Sequence, residues 1–470
     1  MNRYKVLLVG FLLFCMTFML FAQENAEQNE QPARVELRLD LPFFDLPFQV
    51  HSMDAMGHGF FNTYTSLSMN QSLAITTGVY SAIHFGARQL RDSLNIDTPL
   101  RNAVYFGVTA AGILAFTYVL PFGNTWMSQE FHRAILSLNG VPSYNGSMNI
   151  LNPRWVTGFT DDELGDFKAT APHDFIRMHS AGTEALTLFG DRIMRKYFFH
   201  NTDNLIWVTA LLSSLMSYSM TSTMIIYNAG LPLFDIDAEI EAMQRRDRRQ
   251  RRRYFAGFEE INWVYELFRP DEPYSARGLH PSGDGSVARY ITISQLTEEE
   301  RRFLTRQGWL GILNFASPML FGRRSFSLGE TGWEWNFALR HYLTSFGANV
   351  SASVFLRNRP LSMAVTLHNY MNHSNYFPAI EAELIDFPVN LGGQHFYLSP
   401  RILLGTQPRG QEFRTSRHEF LGLFGLRVDH RATGNLFPYI DFTAKTNGWV
   451  AGNEYLNANV SIRMGLSLRF

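Results

Sequence analysis

Cysteine is nearly absent from this chain, which has one, Cys15, among its 470 residues. It lies in the N-terminal apolar run Val6–Phe21, which we expect to be removed from the mature protein. Without cysteine, the mature chain forms no disulfide and any metal must be held by histidines and carboxylates. An excess of basic residues is absent as well, with 41 Lys and Arg against 42 Asp and Glu. This balance predicts that nucleic acid is not a partner.

Several motifs of catalysis and ligand binding are also missing. The sequence contains no Gly-x4-Gly-Lys-Ser/Thr phosphate loop, no Gly-x-Ser-x-Gly elbow and no Rossmann glycine fingerprint. Asp235 and Asp237 lack the glycine and the later glutamate that a calcium loop needs. The sequence therefore gives no support to the enzyme and binding classes that these motifs mark.

The first residues have the pattern of a secretory signal peptide. Basic side chains precede the apolar run, and the small residue Ala22 comes before a polar stretch. We therefore expect export and removal of residues 1–22. Residues 23–50 are expected to form a leader that contains one short strand, because Val35–Leu41 alternates apolar and polar side chains.

Residues 51–322 have a helical period and are expected to form a helical domain. Glycine, proline and asparagine separate its segments, and Thr297 with Glu300 three residues later makes a capping box at the start of the last one. The predicted helices are Phe60–Gln89, Arg101–Phe122, Thr125–Asn139, Pro172–His200, Asn204–Tyr227, Asp235–Phe268 and Thr297–Asn314.

Two uncharged stretches in this region approach the length of a membrane span, Val104–Phe122 and Leu205–Tyr227. Gly, Ser and Thr dilute both stretches, which favours helices buried in the core of a large helical domain. The alternative is that these helices are embedded in a bilayer and that the protein is a hybrid of helices and strands. Both interpretations stay open at this point.

From Trp333 onward the period drops to two. Side chains alternate in about eight segments, and the last of them, Asn459–Phe470, alternates without exception. Its apolar face carries Val460, Ile462, Met464, Leu466, Leu468 and Phe470. A strand of that length spans a hydrocarbon core when tilted, and a period of two separates lipid-facing from interior-facing side chains.

This ending resembles the C-terminal β-signal of bacterial outer-membrane β-barrel proteins, a final amphipathic strand that closes on Phe. The resemblance covers at most the C-terminal third and implies an antiparallel transmembrane β-barrel of about eight strands at residues 323–470. Together with the helical period before it, this predicts an α+β fold in which an N-terminal all-helical domain precedes the barrel. The resemblance also implies a bacterial outer-membrane location, contact with outer-membrane lipid, and recognition by the barrel-assembly machinery through Leu466, Leu468 and Phe470. An even strand number places the start of the first strand, and hence its junction with the helical part, on the periplasmic side with the C-terminus.

The polar face of the predicted strands carries charges of both signs. An eight-stranded barrel has room inside only for side chains, so these charges are expected to pair with one another rather than to line a passive pore. The residues concerned are Glu334, Arg340, Glu381, Glu383, Arg401, Arg427, Asp441, Lys445, Arg463 and Arg469.

The hexapeptide Gln129–Ala134 resembles a degenerate His-Glu-x-x-His motif of zinc peptidases, whose histidines bind the metal and whose glutamate activates water. Glu130 alone matches, because Gln129 and Arg133 stand where the histidines belong and His132 is out of register. The resemblance implies Glu130 as the catalytic residue, or as a ligand, of a metal-dependent hydrolase.

A second group of candidate ligands follows at the start of the Pro172–His200 helix. His173, His179 and Glu184 could hold zinc together with Glu130, although His173 and His179 are about 240° apart around a helix and share no face. Three interpretations remain: a metal or catalytic site, a relic that has lost its metal, and ordinary capping and core pairs. His51 and His58 form a further loop pair, for which the flanking glycines favour a tight turn.

A basic run stands near the middle of the chain, with seven arginines in nine positions: Arg245, Arg246, Arg248, Arg249, Arg251, Arg252 and Arg253. After export its candidate partners are anionic lipid head groups or an acidic protein. The alternative is a solvated helix face paired with Glu239, Glu241, Glu259 and Glu260.

Two functions fit these observations. The first is a non-enzymatic outer-membrane protein whose barrel anchors a periplasmic or membrane-embedded helical module for envelope interaction or assembly. The second is a membrane-associated hydrolase of zinc-peptidase type, or its inactive descendant. The near absence of catalytic motifs favours the first.

Overall fold

The structure is a computed structural model, and it describes residues 37–50, 66–145, 156–200, 205–230, 235–246, 253, 258–358 and 361–470. Within these residues the chain has the α+β composition expected from the sequence. The expected signal peptide, the first half of the leader, His51, His58 and most of the arginine run lie outside the described residues.

The helices with both ends in the described residues lie between residues 69 and 311. They are α1 Met69–Ser93, α2 Thr98–Tyr118, α3 Asn124–Leu138, α4 Asp161–Thr170, α5 Pro172–Phe199, α6 Ile206–Thr221, α7 Thr223–Asn228, α8 Ile236–Arg246, α9 Glu259–Phe268 and α10 Glu298–Gly311. The capping box expected at Thr297 is confirmed, with Glu300 as its reciprocal partner.

Strands come from both ends of the chain. They are β1 Arg38–Leu46, the short pair β2 Tyr144–Asn145 and β3 Val156–Thr157, then β4 Phe326–Ser327, β5 Glu334–Thr344, β6 Gly347–Asn358, β7 Leu361–Met371, β8 Tyr376–Leu384, β9 Phe387–Leu391, β10 Gln394–Pro408, β11 His418–His430, β12 Leu436–Lys445 and β13 Asn459–Arg469. Ten strands follow residue 323, of which eight have nine residues or more, against about eight predicted for this part of the chain.

One antiparallel sheet contains all of these strands except β2 and β3. Its order is β1-β13-β12-β11-β10-β8-β7-β6-β5-β4, and β9 extends β10 as a hairpin. The strand near the N-terminus therefore pairs with the last strand, with Arg38 opposite Arg469 and Leu46 opposite Ile462. The sheet is not closed, since β1 and β4 remain at its two edges. The closed barrel that the resemblance implied is thus absent from the described residues.

Helix α5 lies on the concave side of the open sheet. The 28-residue helix is about 42 Å long and is buried along most of its length. It contacts strands near both edges of the sheet: Lys196 donates to the carbonyl oxygen of Arg38 in β1 at 2.8 Å, and Arg340 of β5 lies 3.7 Å from Asp191. In the middle of the sheet, Arg195 pairs with Glu383 of β8 at 2.6 Å. The sheet therefore curves around a helix, which occupies the interior.

The main hydrophobic core is shared between helices and strands. It joins α1, α3, α5 and α6 to residues of the concave face of the sheet, such as Ala338, Phe355 and Ala364. Helix α6 is largely buried in this core, whereas only four residues of α2 are buried. The two uncharged stretches, Val104–Phe122 and Leu205–Tyr227, are alike in composition but have different environments.

A second layer of helices lies across one end of the sheet. We call α4, α9, the start of α10 and residues 269–297 the helical cap. Its Trp263 donates to the carbonyl oxygen of Thr344 at 2.9 Å, and its Phe268 ring contacts Phe413 between β10 and β11. Because neighbouring strands are antiparallel, these connections lie at the end of the sheet opposite Phe470.

Candidate functional site

The convex face of the sheet is apolar and exposed. On β13, Val460 and Ile462 are 54% and 41% exposed, whereas the alternating Ser461 and Arg463 are 2% and 7% exposed. The same pattern repeats across the sheet at Leu41, Phe44, Leu46, Val354, Leu367, Ile380, Ile402, Leu404, Phe420, Phe424 and Ile440, which are 39–59% exposed. A row of this extent is far larger than the scattered apolar side chains of a water-soluble surface.

Helices at the two edges continue this apolar surface. Within the residues described, α2 is the one helix long and apolar enough to cross a membrane by length and composition, and 22% of its most apolar window is buried. At the other edge, Trp309, Ile312 and Phe321 are 58%, 42% and 46% exposed. A groove of about 690 Å³ between Phe420 and Val460 is also lined mostly by apolar side chains.

The concave face has the opposite character, because charged side chains are buried there and paired. Arg463 contacts Asp45 at 3.2 Å and Asp441 at 3.3 Å. Further pairs join Arg401 to Glu381 at 2.8 Å, Arg427 to Asp40 and Asp429 at 2.8 Å, and Arg469 to Asp386 at 3.3 Å and Asp429 at 3.1 Å. The expected pairing within the predicted set is confirmed for Arg401 with Glu381 and for Arg463 with Asp441, whereas Arg427 and Arg469 pair with carboxylates outside that set. Lys445 instead donates to the carbonyl oxygens of Thr446, Gly448 and Asn457.

Beyond the two residues that pair with β4, the edge of β5 is covered by the chain that follows α10. The amide N of His341 donates to Asn314 Oδ1 at 2.7 Å, and the amide N of Leu339 donates to the carbonyl oxygen of Ala316 at 3.1 Å. Ser317 Oγ donates to the carbonyl oxygen of Phe337 at 3.0 Å. Backbone groups that a neighbouring strand would satisfy in a closed barrel are thus satisfied by a helical segment.

The edge at β1 has a similar arrangement. Gln49 accepts from the amide N of Asp45 at 3.1 Å and donates to the carbonyl oxygen of Phe43 at 3.0 Å. Lys196 binds the carbonyl oxygen of Arg38, and Pro42 has no N–H to satisfy. Helix α1 packs along this edge, where Gly78 lies next to Leu39.

Glu130, the predicted catalytic residue, is fully buried in α3. Its carboxylate accepts from Arg133 at 2.7 Å, from Asn145 at 2.5 Å and from the amide N of Leu67 at 3.1 Å. Three donors therefore occupy the group that was predicted to bind metal or activate water.

His179 and Glu184 are also fully buried, but each has a different arginine. Nε2 of His179 lies 3.0 Å from Arg277 Nη2, so this nitrogen accepts. Glu184 accepts from Arg177 at 2.8 Å and from the backbone of Gly452 at 2.9 Å. These two residues and Glu130 therefore belong to three separate ion-pair or hydrogen-bond groups.

His173 lies at the start of α5, where Pro172 begins the helix. Burial lowers the pKa of its imidazole, against the smaller opposing effects of Glu412 and Asp271. Across the described part of the chain, no three His, Cys, Asp or Glu side chains form a group that could hold a metal ion. The zinc site remains a prediction without geometric support.

The arginine run is described only at its ends. Arg245 pairs with Glu241 at 2.5 Å, one of the glutamates expected for a solvated helix face. Arg253 is buried instead and pairs with Asp284 at 2.7 Å and Asp161 at 3.7 Å. The two ends of the run therefore have different environments.

A cluster that the sequence reasoning missed joins α3, α5 and α9. His132 lies 3.2 Å from Glu259, and the adjacent Glu260 is 1% exposed with neither carboxylate oxygen hydrogen-bonded to a described residue. Two consecutive glutamates after an arginine run indicated a solvated pair, so burial was not foreseen. The exact alternation of the strands gave no information on this part of the chain.

Comparisons with protein-family models, with curated proteins and with solved structures found no match to this chain.

Proposed function

We propose that this protein is an integral protein of the bacterial outer membrane, in which an open β-sheet, completed by helices, anchors a helical cap for interaction or assembly at the envelope. The observation that carries the proposal is the distribution of side chains across the sheet. Apolar side chains face outward, and paired charges face inward onto α5. A lipid-embedded sheet requires this distribution, whereas a sheet in water has its apolar face covered.

The two edges of the sheet support the same conclusion. In hydrocarbon an unpaired backbone N–H or C=O costs several kcal/mol, so open sheet edges are not found facing lipid. Here Asn314, Ala316 and Ser317 satisfy the β5 edge, and Gln49 and Lys196 bind groups of the β1 edge. An open sheet can therefore meet the requirement that a closed barrel meets by joining its first and last strands.

A transport role has less support. Helix α5 fills the concave side of the sheet, and interior charges pair across it, as Arg195 does with Glu383. We therefore propose an anchor rather than a passive pore. Leu466, Leu468 and Phe470 belong to the outward apolar face of β13, and Phe470 is 51% exposed. We propose that barrel-assembly machinery recognises the last strand through this face.

The position of the cap suggests an orientation. If Phe470 lies on the periplasmic side, as in the proteins that the last strand resembles, the cap lies at the external end of the sheet. The start of β5 is at the same end of the sheet as Phe470, because the registers of the antiparallel pairs from β5 to β13 place Glu334 and Arg469 at that end. In this proposal the junction between the helical part and β5 stays on the periplasmic side, and the cap faces the exterior of the cell.

Cell fractionation tests this proposal. The protein should sediment with outer-membrane markers and should migrate faster on a gel without heating than after boiling. On intact cells, external protease should cut the protein in the loop around Leu279, which is 77% exposed, and the sheet should remain protected. Recovery in the soluble or inner-membrane fraction, with unchanged mobility after boiling, would contradict the membrane assignment. Cleavage only after permeabilisation would contradict the orientation alone.

A further inference from the structure

The groove on the convex face of the sheet has a floor of small side chains. Gly422 of β11, Ala444 of β12 and Ala458 just before β13 all line it. A Cβ added at Gly422 would lie 2.8 Å from the ring of Phe420, so glycine leaves the room in which this ring leans along the strand. The groove therefore exists because small residues interrupt an outward face that otherwise carries larger apolar side chains.

Larger side chains bound the groove on both sides. The register of the strands places Ala444 between Phe424 on β11 and Val460 on β13. Strands two apart in a sheet lie about 9.6 Å from one another, so the gap between these two side chains is narrower than an α-helix, which is about 10–12 Å across. An acyl chain, which is a single row of methylene groups, fits a gap of this width, whereas a helix of another protein does not.

The groove is open at one end only. In the next outward row toward the middle of the sheet, the three residues are all large: Leu426, Phe442 and Ile462. The other end, at Thr446 and Ala458, faces the connections that lie opposite Phe470. The volume of about 690 Å³ is within the range of about 300–1,000 Å³ that small-molecule sites have. The groove can therefore hold the part of an acyl chain that is next to a lipid head group.

Two arginines are exposed at the open end. The amide N of Arg409 donates to the carbonyl oxygen of Arg417 at 2.9 Å, so the two residues stand opposite each other where β10 and β11 are joined. Like charges in this arrangement repel, and neither arginine forms an ion pair with another described residue. Glu419 of the same hairpin already accepts from the amide N of Gly410 at 2.9 Å and from Asn447 at 3.2 Å. An anion bound between the two arginines would remove their repulsion.

The spacing of the arginines from the groove matches the structure of a phospholipid. Arg417 comes three residues before Phe420, which corresponds to about 10 Å along an extended chain. The glycerol unit of a lipid and the side chain of an arginine together span this distance. Guanidinium groups bind phosphate oxygens in a bidentate manner, which a neutralised or absent phosphate would not offer.

We propose that the groove binds one lipid with an anionic phosphate head group, whose acyl chain lies over Gly422 and Ala444 and whose phosphate is bound by Arg409 and Arg417. This inference rests on the proposed membrane location and assigns a specific lipid site on the sheet. A lipid with a neutral head group fills the apolar part equally well but leaves the two arginines facing each other. The site therefore prefers an anionic lipid.

Photocrosslinking tests the site in full-length protein reconstituted into phosphatidylcholine vesicles. The probe is phosphatidylglycerol with a photoreactive group near the start of one acyl chain, present as a small fraction of the lipid. Labelling should concentrate at Phe420, Ala444 and Val460, and excess unlabelled phosphatidylglycerol should remove it. Even labelling of all outward strands, or labelling that spares the groove, would overturn the proposal and leave the membrane location intact. No labelling of any outward strand would contradict both.

Variants separate the acyl chain from the head group. Ala444→Phe fills the groove and should abolish its labelling, whereas Ala352→Phe, an outward position of β6 between strands β5 and β7, is the matched control and should not. Labelling of the other outward strands should persist in both variants, which shows that they are inserted. Arg409→Gln combined with Arg417→Gln should lower the preference for phosphatidylglycerol over a phosphatidylcholine probe by about fivefold for each arginine, the factor expected for one cation at an anionic membrane surface. Equal groove labelling in the two Phe variants, or an unchanged preference in the double variant, would overturn the proposal.

Discussion

The substitution Ile440→Lys separates a lipid-facing surface from a water-facing one. Ile440 lies in the middle of β12, points outward and is 53% exposed. On a protein surface in water, a change from Ile to Lys at a half-exposed position alters the free energy of unfolding by only about 0.5 kcal/mol. On the lipid face of a membrane sheet, Lys near the bilayer midplane costs about 2–4 kcal/mol.

The matched control is Leu436→Lys at the end of the same strand. Its side chain also belongs to the outward row, but it lies next to the turn with Thr433, where water or head groups are within reach. The cost of Lys near the interface is about 0–1 kcal/mol. The account therefore predicts a difference of about 2 kcal/mol or more between the two variants.

Reversible urea unfolding in lipid vesicles, followed by tryptophan fluorescence, gives this difference as a shift of the midpoint at constant slope. The slope must agree among wild type and both variants, since a changed slope would indicate a changed unfolded state. Equal midpoints for Ile440→Lys and Leu436→Lys, both close to wild type, would refute the lipid-facing interpretation of β12.

Three further predictions concern the interior, the edge and the cap. Arg463→Leu leaves Asp45 and Asp441 without their shared cation and should lower the free energy of unfolding by about 3–5 kcal/mol. The control Arg417→Leu, at an exposed position, should change this free energy little. Comparable losses in the two variants would contradict the buried ionic interior. Asn314→Leu leaves the backbone N–H of His341 without its acceptor at the β5 edge and should lower the free energy of unfolding by about 1–3 kcal/mol in the same assay. The control Asn228→Leu removes a hydrogen bond to Thr305 at the surface and should have a smaller effect. Glu260 has its pKa raised to about 8, so it favours the folded state below its ordinary pKa of 4.5, and this stability is lost as the pH rises toward 8. Thermal unfolding across that range should therefore show a smaller decline with pH in Glu260→Gln than in wild type and in the exposed control Glu298→Gln, and identical profiles would contradict this assignment.

The sequence predicted local features well where the pattern depends on neighbouring residues. The alternation of Asn459–Phe470 identified β13, and the outward and inward sets match the observed exposure of Val460 and Arg463. Thr297 and Glu300 located the start of α10, because a capping box is contained within four residues.

Features that depend on distant residues were not predictable in the same way. The period of α5 shows that it is a helix, but not that strands from both edges of a sheet surround it. Nothing in Val35–Leu41 indicates pairing with β13, more than 400 residues away. The histidine spacing around His179 could not reveal that Arg277, 98 residues later, contacts its ring. The domain boundaries at 51–322 and 323–470 stay predictions, although the shared core shows that helices and strands pack together.

Collisional accessibility of spin labels tests the central claim most directly. The expected mature chain has no cysteine, so single cysteines at Val460, Ser461, Ile462 and Asn447 can each carry a nitroxide in protein reconstituted into vesicles. If the sheet faces lipid, labels at Val460 and Ile462 should collide mainly with oxygen dissolved in the lipid. The label at Asn447 should collide mainly with a water-soluble nickel complex, and the label at inward-facing Ser461 should collide with neither. Labels at Val460 and Ile462 that are as accessible to the nickel complex as the label at Asn447 would contradict a lipid-facing sheet.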